Sequence, residues 1–302
     1  MAKLLEGKPV AQEIKEKIKA EIIALGIKPV LASVLVGNNA GAEAYVNSQR
    51  KTAEGLGIEY QFHKLDENTS QDKLIEFIRG LNQDKLVNGM IIQMPLPCQI
   101  DYKKISQFIL PDKDLEGMHP ANIGKIVFGT STSLSADGEY DRTIGKAKLI
   151  PCTPAAVMEL LNSTGIDLYG KEVVIVGHSE IVGKPLALLL LEKFATVTVC
   201  HIGTSKANKL EEHVRKAEIL IVAVGKAGLI KGDLVKDGAI VIDVGINRVE
   251  GKIVGDVEFE PAEKKAAYIT PVPGGVGPLT VTMLMRNLVE AAKSQRLKVG
   301  GL

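Results

Sequence analysis

The chain has 302 residues, of which 45% are hydrophobic, and a formal net charge of +1. This length suits one large domain or two ordinary domains, each with its own core. The near-neutral charge argues against a nucleic-acid or membrane-surface partner, and the 4% aromatic content without Trp argues against stacking platforms for single strands. Because apolar runs are too short to cross a bilayer and Met1 is not followed by an apolar signal core, we predict a cytoplasmic protein.

The first half of the chain alternates helix and strand patterns. Helices are predicted over 10–25, 42–56 and 70–81, the last capped by Ser70, and strands over 31–36, 60–64 and 87–93. Strands that alternate with helices indicate βαβ units and a parallel sheet. Residues 129–149 are polar without an apolar period, which predicts an exposed loop at a domain boundary.

A second α/β pattern begins at Glu172. Strands are predicted over 173–176, 196–200, 219–224 and 239–244, with helices over 184–193 and 280–293. Gly177-x-Ser179-x-x-x-Gly183 follows the first of these strands and resembles a Rossmann dinucleotide fingerprint, with serine in place of the second glycine. The end of the second strand, 200–204, has no acid that would repel a ribose phosphate, so NADP is favoured and NAD is the alternative.

The cysteines and histidines predict neither a disulfide framework nor a metal site. Cys98, Cys152 and Cys200 are odd in number and widely spaced. The five histidines, at 63, 119, 178, 201 and 213, show none of the paired spacings typical of zinc ligands. We therefore predict unpaired thiols and no structural or catalytic metal.

The run 271–280 reads Pro-Val-Pro-Gly-Gly-Val-Gly-Pro-Leu-Thr. Prolines and glycines at this density exclude a helix or a central strand. Proline fixes the backbone and glycine lets the main chain approach a ligand, so a rigid loop for a flat ligand is predicted. Taken alone, a stiff turn explains the run equally well.

Three segments together resemble the methylenetetrahydrofolate dehydrogenase/cyclohydrolase family. They are the run 271–280, GMIIQMPLP at 89–97 and PDKDLEG at 111–117. The resemblance implies two α/β domains with a cleft between them, the second a Rossmann-like NAD(P)-binding domain. It implies a discontinuous folate-binding catalytic domain over 1–150 plus 278–302, an NAD(P)-binding domain over 151–277, and a homodimer. The polar segment 129–149 is about ten residues longer than the connection usual in the family.

The resemblance also implies the cofactor-binding residues. They are Gly177, His178, Ser179, Ile181, Val182, Gly183, His201, Ile202, Thr204, Val224, Gly225, Gly245, Ile246 and Asn247. NADP-using members often have arginine or serine at the positions of His178 and Ile202, and this chain has neither, although Lys206 lies nearby in the sequence. Asp243, within a strand pattern, is interpreted as structural.

The folate site of the family contains a tyrosine, a lysine four residues later, a glutamine before Pro-Leu-Pro and an aspartate. Tyr45 and Gln93 match, whereas Gln49 takes the lysine position, Glu116 the aspartate position and Ala42 that of a serine. The implied catalytic residues are Tyr45, Gln49, Gln93 and Glu116. The implied substrate-binding residues are Tyr45, Gln93, Pro95, Leu96, Glu116, Pro273, Gly274, Gly277, Pro278 and Thr280.

Gln49 affects the two family reactions unequally. Oxidation of methylenetetrahydrofolate by hydride transfer needs two rings held in position, whereas hydrolysis of the methenyl product needs a group that moves protons. A glutamine amide only hydrogen-bonds. Arg50 lies about 100° around the helix from it and Lys51 about 200°, so neither replaces the lysine easily.

We therefore expect a dehydrogenase with weak or absent cyclohydrolase activity. A fully bifunctional enzyme, in which another residue or a water replaces the lysine, is the main alternative. A catalytically silent paralogue that binds folate or dinucleotide, and a dehydrogenase for another substrate of similar shape, are further alternatives.

Overall fold

The computed structural model describes residues 1–26, 28–128 and 148–299. Its strands are β1 Lys3–Leu4, β2 Val30–Val36, β3 Glu59–Leu65, β4 Gly89–Ile92, β5 Glu172–Val176, β6 Thr196–Cys200, β7 Ile219–Val222, β8 Ile240–Asp243, β9 Asn247–Val249, β10 Lys252–Val254 and β11 Tyr268–Ile269. Its helices are α1 Gly7–Leu25, α2 Ala40–Gly55, α3 Gln71–Gln83, α4 Tyr102–Ser106, α5 Pro120–Phe128, α6 Cys152–Ser163, α7 Gly183–Leu191, α8 Ile202–Lys206, α9 Leu210–Lys216, α10 Phe259–Lys265 and α11 Gly277–Val299.

The chain divides into two compact units. The six-stranded unit contains Met1–Gln12 and Thr153–Thr280, and the three-stranded unit contains Glu13–Cys152 and Val281–Leu302. Each has a parallel sheet with helices in the connections, as the alternating pattern predicted.

The three-stranded unit is built around β2. All seven residues of β2 are buried, and β3 and β4 pair with it on opposite sides in parallel. Apolar residues of α3 pack on this sheet to form the core. Ser70 caps α3 as predicted, its hydroxyl accepting from the Lys73 N–H at 3.3 Å. From β2 the chain adds β3 on one side of the sheet and then β4 on the other side, so the strand order reverses between β2 and β4. The loops after these two strands therefore lie at the position where parallel sheets commonly bind ligands.

The sheet of the six-stranded unit has the order β1-β11-β8-β7-β5-β6, and all its pairs are parallel. The strand order reverses between β5 and β7, because β6 is added on one side of β5 and β7 on the other. The loops after these strands, which contain Gly177 and Val224, therefore lie at the switch point of the sheet. A short antiparallel hairpin, β9 with β10, follows β8.

Three features differ from the sequence-based expectation. Helix α11 begins at Gly277, so the exclusion of helix from the whole run 271–280 was wrong for its last four residues; Pro278 lies in the first turn, where its missing N–H costs little. Several elements were not predicted, namely helix α6, the shorter helices α4, α5, α8, α9 and α10, and the β9–β10 hairpin. The first twelve residues belong to the six-stranded unit because β1 pairs with β11, whereas the expected division placed them in the other domain.

Within the described ranges, no helix has the length and apolar character needed to cross a membrane. The three cysteines are free thiols, with Cys98 exposed and Cys200 buried. Among the same residues, no group of three His, Cys, Asp or Glu side chains is arranged to hold a metal ion. Apart from its last two residues, the predicted loop 129–149 lies outside the described part of the chain.

Candidate functional site

Gln49 and Gln93 meet in the interior of the three-stranded unit. Gln49 comes from α2 and is fully buried, and Gln93 directly follows β4 and is 2% exposed. The Gln93 amide donates to Gln49 Oε1 at 2.8 Å and to Ser33 Oγ at 3.0 Å. The Tyr60 hydroxyl donates to the same Gln49 oxygen at 2.8 Å. Two predicted residues are thus brought together, and Ser33 and Tyr60, which sequence analysis missed, complete the cluster.

The Gln49 amide nitrogen is buried and has no hydrogen-bond partner of normal geometry among the described residues, although the Gln49 side chain interacts with Tyr45 closely enough to lower the pKa of that hydroxyl. Buried polar groups are nearly always paired, and an unpaired donor costs about 1–3 kcal/mol. Such a donor marks a position where a polar ligand atom or a water would be stabilised. This fits a site for a substrate with ring nitrogens and carbonyl oxygens, as the folate resemblance implies.

Tyr45 lies one turn before Gln49 on α2 and is partly buried. Burial, followed by the nearby Cys152 and Glu116, raises its pKa well above the ordinary tyrosine value. Its hydroxyl is therefore a hydrogen-bond donor at all physiological pH values. Burial likewise raises the pKa of Tyr60 to about 12.

Arg50 does not take the place of the missing lysine. Its guanidinium lies over the rings of Tyr60 and Phe62, at 5.8 and 5.4 Å from their centroids. Cation–π contacts of this kind hold the Arg50 charge over the aromatic side chains of β3. Lys51 is exposed.

The segment 111–117 is anchored by Lys113. This side chain is 7% exposed, and its ammonium donates to the carbonyls of Leu81, Asn82 and Asp84 at 2.9, 2.9 and 2.7 Å. It thereby satisfies the last carbonyls of α3, which have no partners within the helix. Burial lowers the pKa of Lys113, and the nearby Asp84 opposes that shift.

Asp114 fixes the following turn. Its carboxylate accepts from the His119 N–H at 2.7 Å and from the Asn122 amide at 3.0 Å, and the side chain is 4% exposed. The next acid, Glu116, accepts a hydrogen bond from the Tyr102 hydroxyl at 3.1 Å. Burial and the neighbouring Asp114 raise the pKa of Glu116 to about 7. Glu116 is therefore an acid whose charge changes near neutral pH.

Asn287 ties α11 to the same segment. Its amide donates to the carbonyls of Leu115 and Ile150, both at 2.8 Å, and the side chain is 1% exposed. The Cys152 thiol donates to the Leu115 carbonyl at 3.4 Å. Asn287 was also missed, because Arg286 directly before it and Glu290 three residues later make another polar residue on this helix unremarkable in the sequence.

Pro95 and Leu96 follow Gln93 at the end of β4. The side chain of Leu96 packs against the core of the three-stranded unit, whereas Pro95 is exposed. The peptide bond before Pro95 is cis. Both residues are close to Gln93 in the sequence, and their side chains are apolar, so they add no hydrogen bond to the glutamine cluster.

The fingerprint glycines of the six-stranded unit occupy positions that exclude side chains. A Cβ on Gly177, whose φ is +124°, would lie 2.3 Å from the Ala223 carbonyl oxygen. A Cβ on Gly183 would lie 2.0 Å from the Gly177 carbonyl oxygen. Ser179, at the second-glycine position, accepts from the Val182 N–H at 3.1 Å and so shapes the turn itself. These close approaches agree with the roles that the two glycines have in a dinucleotide fingerprint.

Two exposed histidines lie side by side at the ends of β5 and β6. The rings of His178 and His201 are 5.1 Å apart between centroids. His201 also caps α8, accepting from the Gly203 N–H at 3.1 Å while the Thr204 hydroxyl accepts from the His201 N–H at 3.2 Å. Predicted cofactor residues 178, 201 and 204 are thus adjacent.

Asp256 organises the turn after β7. Its carboxylate accepts from the N–H groups of Val224, Gly225 and Lys226 at 2.7, 2.9 and 2.8 Å. It also accepts from the Asn247 amide at 2.8 Å and is fully buried. Sequence analysis missed Asp256, which holds three of the predicted cofactor residues in place.

Asp243 performs the corresponding function after β8. Its carboxylate accepts from the N–H groups of Gly245, Asp256 and Val257 at 2.9, 3.0 and 2.8 Å. Burial raises its pKa to about 6, although these backbone donors oppose the shift. This bonding agrees with the structural interpretation of Asp243.

Four predicted cofactor residues expose apolar side chains at the carboxyl edge of this sheet. Ile181, Ile202, Val224 and Ile246 are 54%, 68%, 39% and 67% exposed. They follow β5, β6, β7 and β8 in turn. An apolar rim on the ligand-binding edge of a parallel sheet fits the flat rings of a dinucleotide.

The run 271–280 is braced by the start of the chain. The Gly7 N–H donates to the Gly274 carbonyl at 2.8 Å, and Gly274 has a φ of +116°. The peptide bond before Pro273 is cis, and Pro273 and Gly277 are exposed. Pro278 and Thr280 lie in the first turn of α11.

Comparisons with known proteins agree with this arrangement. Models described as the catalytic domain and the NAD(P)-binding domain of tetrahydrofolate dehydrogenase/cyclohydrolase match residues 5–116 and 151–296. The bifunctional protein FolD of Acetivibrio thermocellus is 49% identical over 298 residues, covering 97% of this chain and 98% of that protein.

Solved structures of similar proteins include the bifunctional enzyme FolD of Campylobacter jejuni, with 44% identity, a TM-score of 0.87 and coverage of 97% and 99%. The Trypanosoma brucei methylenetetrahydrofolate dehydrogenase-cyclohydrolase, complexed with NADP and an inhibitor, has 36% identity, a TM-score of 0.87 and coverage of 98% and 99%. The chain therefore belongs to the tetrahydrofolate dehydrogenase/cyclohydrolase family, with an NAD(P)-binding domain in its second half.

Proposed function

We propose that this chain is an NAD(P)-dependent methylenetetrahydrofolate dehydrogenase. The observation that carries the proposal is the buried Gln49–Gln93 pair with its unpartnered amide, in a chain of this family. A bound nicotinamide would supply the acceptor for the hydride of the methylene carbon. The protein then has to bind, orient and shield two rings, which needs no titrating side chain.

In this proposal the three-stranded unit binds the folate. The Tyr45 hydroxyl donates a hydrogen bond to the substrate, and the Gln93 and Gln49 side chains provide amide contacts. The Glu116 carboxylate accepts a hydrogen bond from the pterin ring. Pro95 and Leu96 provide the adjoining loop surface of this unit. The substrate contacts that the family resemblance implies in the run 271–280, which belongs to the six-stranded unit, stay a prediction: Pro273, Gly274, Gly277, Pro278 and Thr280. Water exclusion by such loops favours hydride transfer over side reactions.

The six-stranded unit binds the dinucleotide. The turn 177–183 holds the pyrophosphate, and the turns after β7 and β8 border the nicotinamide. We propose NADP as the preferred cofactor because 200–204 has no acid, with NAD as the alternative. A homodimer and a cytoplasmic location belong to the same proposal and rest on the family resemblance and composition.

The second family reaction, hydrolysis of the methenyl product, is the open part of the assignment. Relatives are named as bifunctional, and these names support a two-step enzyme better than they support loss of hydrolysis. Gln49 supports the opposite, because an amide cannot move protons and general acid–base help is worth ~10²–10⁴-fold. The silent paralogue has the least support, since Tyr45, Gln93 and the 271–280 loop all match the family.

A spectroscopic time course tests these assignments. Purified protein would be mixed with methylenetetrahydrofolate and either NADP or NAD, and reduced nucleotide and methenyl product would be followed separately. Methenyl product that rises with reduced nucleotide, and decays no faster than without enzyme, means a dehydrogenase with weak hydrolysis. Reduced nucleotide without methenyl accumulation means that both steps occur. No reduced nucleotide with either cofactor would reject the dehydrogenase.

A further inference from the structure

Tyr102 connects the core of the three-stranded unit to Glu116. It is the first residue of α4, whose N-cap is Asp101, and its ring packs against the buried core cluster. Its hydroxyl donates to Glu116 Oε2 at 3.1 Å. The ring is therefore fixed at one end by packing, and the hydroxyl at the other end has a defined place.

We propose that Tyr102 is a positioning residue for Glu116, holding one carboxyl oxygen so that the other accepts a hydrogen bond from the pterin ring of the folate. This inference rests on the proposed function. It assigns a role to a residue that is not among the site residues implied by the family resemblance, and it concerns a pair formed by this chain's own side chains.

The need for such a residue follows from the length of glutamate. Glu116 has one methylene and one rotatable bond more than the aspartate implied by the family resemblance. An extra torsion adds rotamer freedom that has to be lost when the carboxylate binds a ligand. A hydrogen bond from a packed tyrosine fixes that torsion before the ligand arrives, as supporting residues commonly do around binding groups.

The contact also acts on the charge of Glu116. The pterin ring offers N–H donors, which an ionised carboxylate accepts and a protonated one accepts poorly. Burial and Asp114 both favour the protonated form of Glu116, and the Tyr102 hydrogen bond lowers its pKa against them. Tyr102 therefore keeps more of the carboxylate ionised at neutral pH.

The test is Tyr102→Phe, which removes only the hydroxyl. We expect KM for methylenetetrahydrofolate to rise on the order of tenfold, as for other hydrogen bonds to charged groups, with KM for NADP unchanged. The acidic limb of kcat/KM should move to higher pH. Tyr169→Phe, at an exposed tyrosine of the six-stranded unit, is the matched control. It should change neither KM for methylenetetrahydrofolate nor the acidic limb of kcat/KM.

A second substitution separates positioning from general stability. Glu116→Asp shortens the acid by one methylene, which should take its carboxylate out of hydrogen-bond reach of Tyr102. Adding Tyr102→Phe to that variant should then have little further effect on KM. Equal effects of Tyr102→Phe in both backgrounds, or an unmoved acidic limb, would overturn the inference.

A direct titration makes the result independent of turnover. In the carbon NMR spectrum of labelled protein, the Glu116 carboxyl should titrate at higher pH in Tyr102→Phe than in the unsubstituted protein. An unchanged or lower pKa would overturn the inference even in an active enzyme. Absence of turnover in the unsubstituted protein would instead reject the proposed function, while the titration would still decide whether Tyr102 controls Glu116.

Discussion

At the scale of single residues, two departures from the family pattern, Gln49 and Glu116, decide what the candidate folate site can do. Gln49 keeps the hydrogen bonds of a buried polar network but has no proton to exchange. Glu116 keeps the acid but with a longer reach and a pKa of about 7. Both residues were identified from the sequence, because each stands at a position where the family has another residue type. Their partners Ser33, Tyr60 and Tyr102 were not, because which side chains meet across a sheet is a tertiary property.

Gln49→Lys should increase cyclohydrolase activity by at least about tenfold, since it restores a group that both donates and accepts protons. The Gln93 amide, which now donates to Gln49, can reverse so that its oxygen accepts from the new ammonium. The measurement is methenyl decay with purified protein. Gln83→Lys, an exposed position on α3, is the control. Unchanged hydrolysis in a folded Gln49→Lys protein would mean that the glutamine is not what limits this step.

The pKa of Glu116 predicts the pH dependence of folate use. Because the carboxylate is the form that binds the pterin, kcat/KM for methylenetetrahydrofolate should fall about tenfold per pH unit below pH ~7. Glu116→Gln should abolish this limb and raise KM, as a pH profile of the two proteins would reveal. A limb that persists in Glu116→Gln would assign it to another group.

Stability should depend on Glu116 in the opposite sense. Its folded pKa of about 7 lies above the ordinary value of 4.5, so folding binds its proton more tightly. The resulting stabilisation is complete below pH 4.5 and is lost as the pH rises through 7. The wild-type protein should therefore lose stability relative to Glu116→Gln over this window, which thermal unfolding at several pH values would measure.

At the scale of elements, the loops after the strands carry the candidate sites, and their conformations depend on buried carboxylates and glycines. Strand and helix positions were largely predictable because apolar periodicity reports which face is buried. The short helices were not, and neither was the role of Asp256, since an acid after a hairpin gives no periodic signal. Pro278 was interpreted as a helix breaker, whereas proline at a helix start is well tolerated.

Asp256→Asn should weaken NADP binding by about tenfold or more. An amide oxygen cannot replace a carboxylate that accepts from Val224, Gly225 and Lys226 together, so at least one buried donor loses its partner, at about 1–3 kcal/mol each. Calorimetric titration with NADP measures the effect. Asp237→Asn, at a side chain that is 85% exposed, is the control. Equal affinity in the two variants would separate the turn from nucleotide binding.

Gly7→Ala should disturb the 271–280 loop. A Cβ at Gly7 would lie 1.9 Å from the Gly275 carbonyl oxygen, so the loop or the start of α1 has to move. We expect KM for the folate to rise and the thermal midpoint to fall. Gly80→Ala, where a Cβ meets nothing within 4 Å, should instead stabilise α3 by ~0.5–1 kcal/mol. A Gly7→Ala protein with normal KM would show that the brace does not control the loop.

At the scale of the whole molecule, each of the two parallel sheets has one point at which the strand order reverses. Predicted site residues of each unit lie in the loops that flank this point, and the cofactor residues of the six-stranded unit also follow β6 and β8. The alternation of strands and helices predicted both sheets, but not that β1 would join the second one. That pairing depends on two residues, Lys3 and Leu4, too few to show any period. Family membership accounts for the combination of a folate-binding and a dinucleotide-binding unit in one chain.

Isotope transfer tests the central claim, dehydrogenation of the folate substrate, most directly. Methylenetetrahydrofolate with two deuterium atoms on its methylene carbon would be incubated with the protein and NADP. The deuterium content of each product would then be measured by mass spectrometry. We expect one deuterium in the reduced nucleotide and one retained in the methenyl product. Reduced nucleotide without deuterium, or no reduced nucleotide with either NADP or NAD, would contradict it.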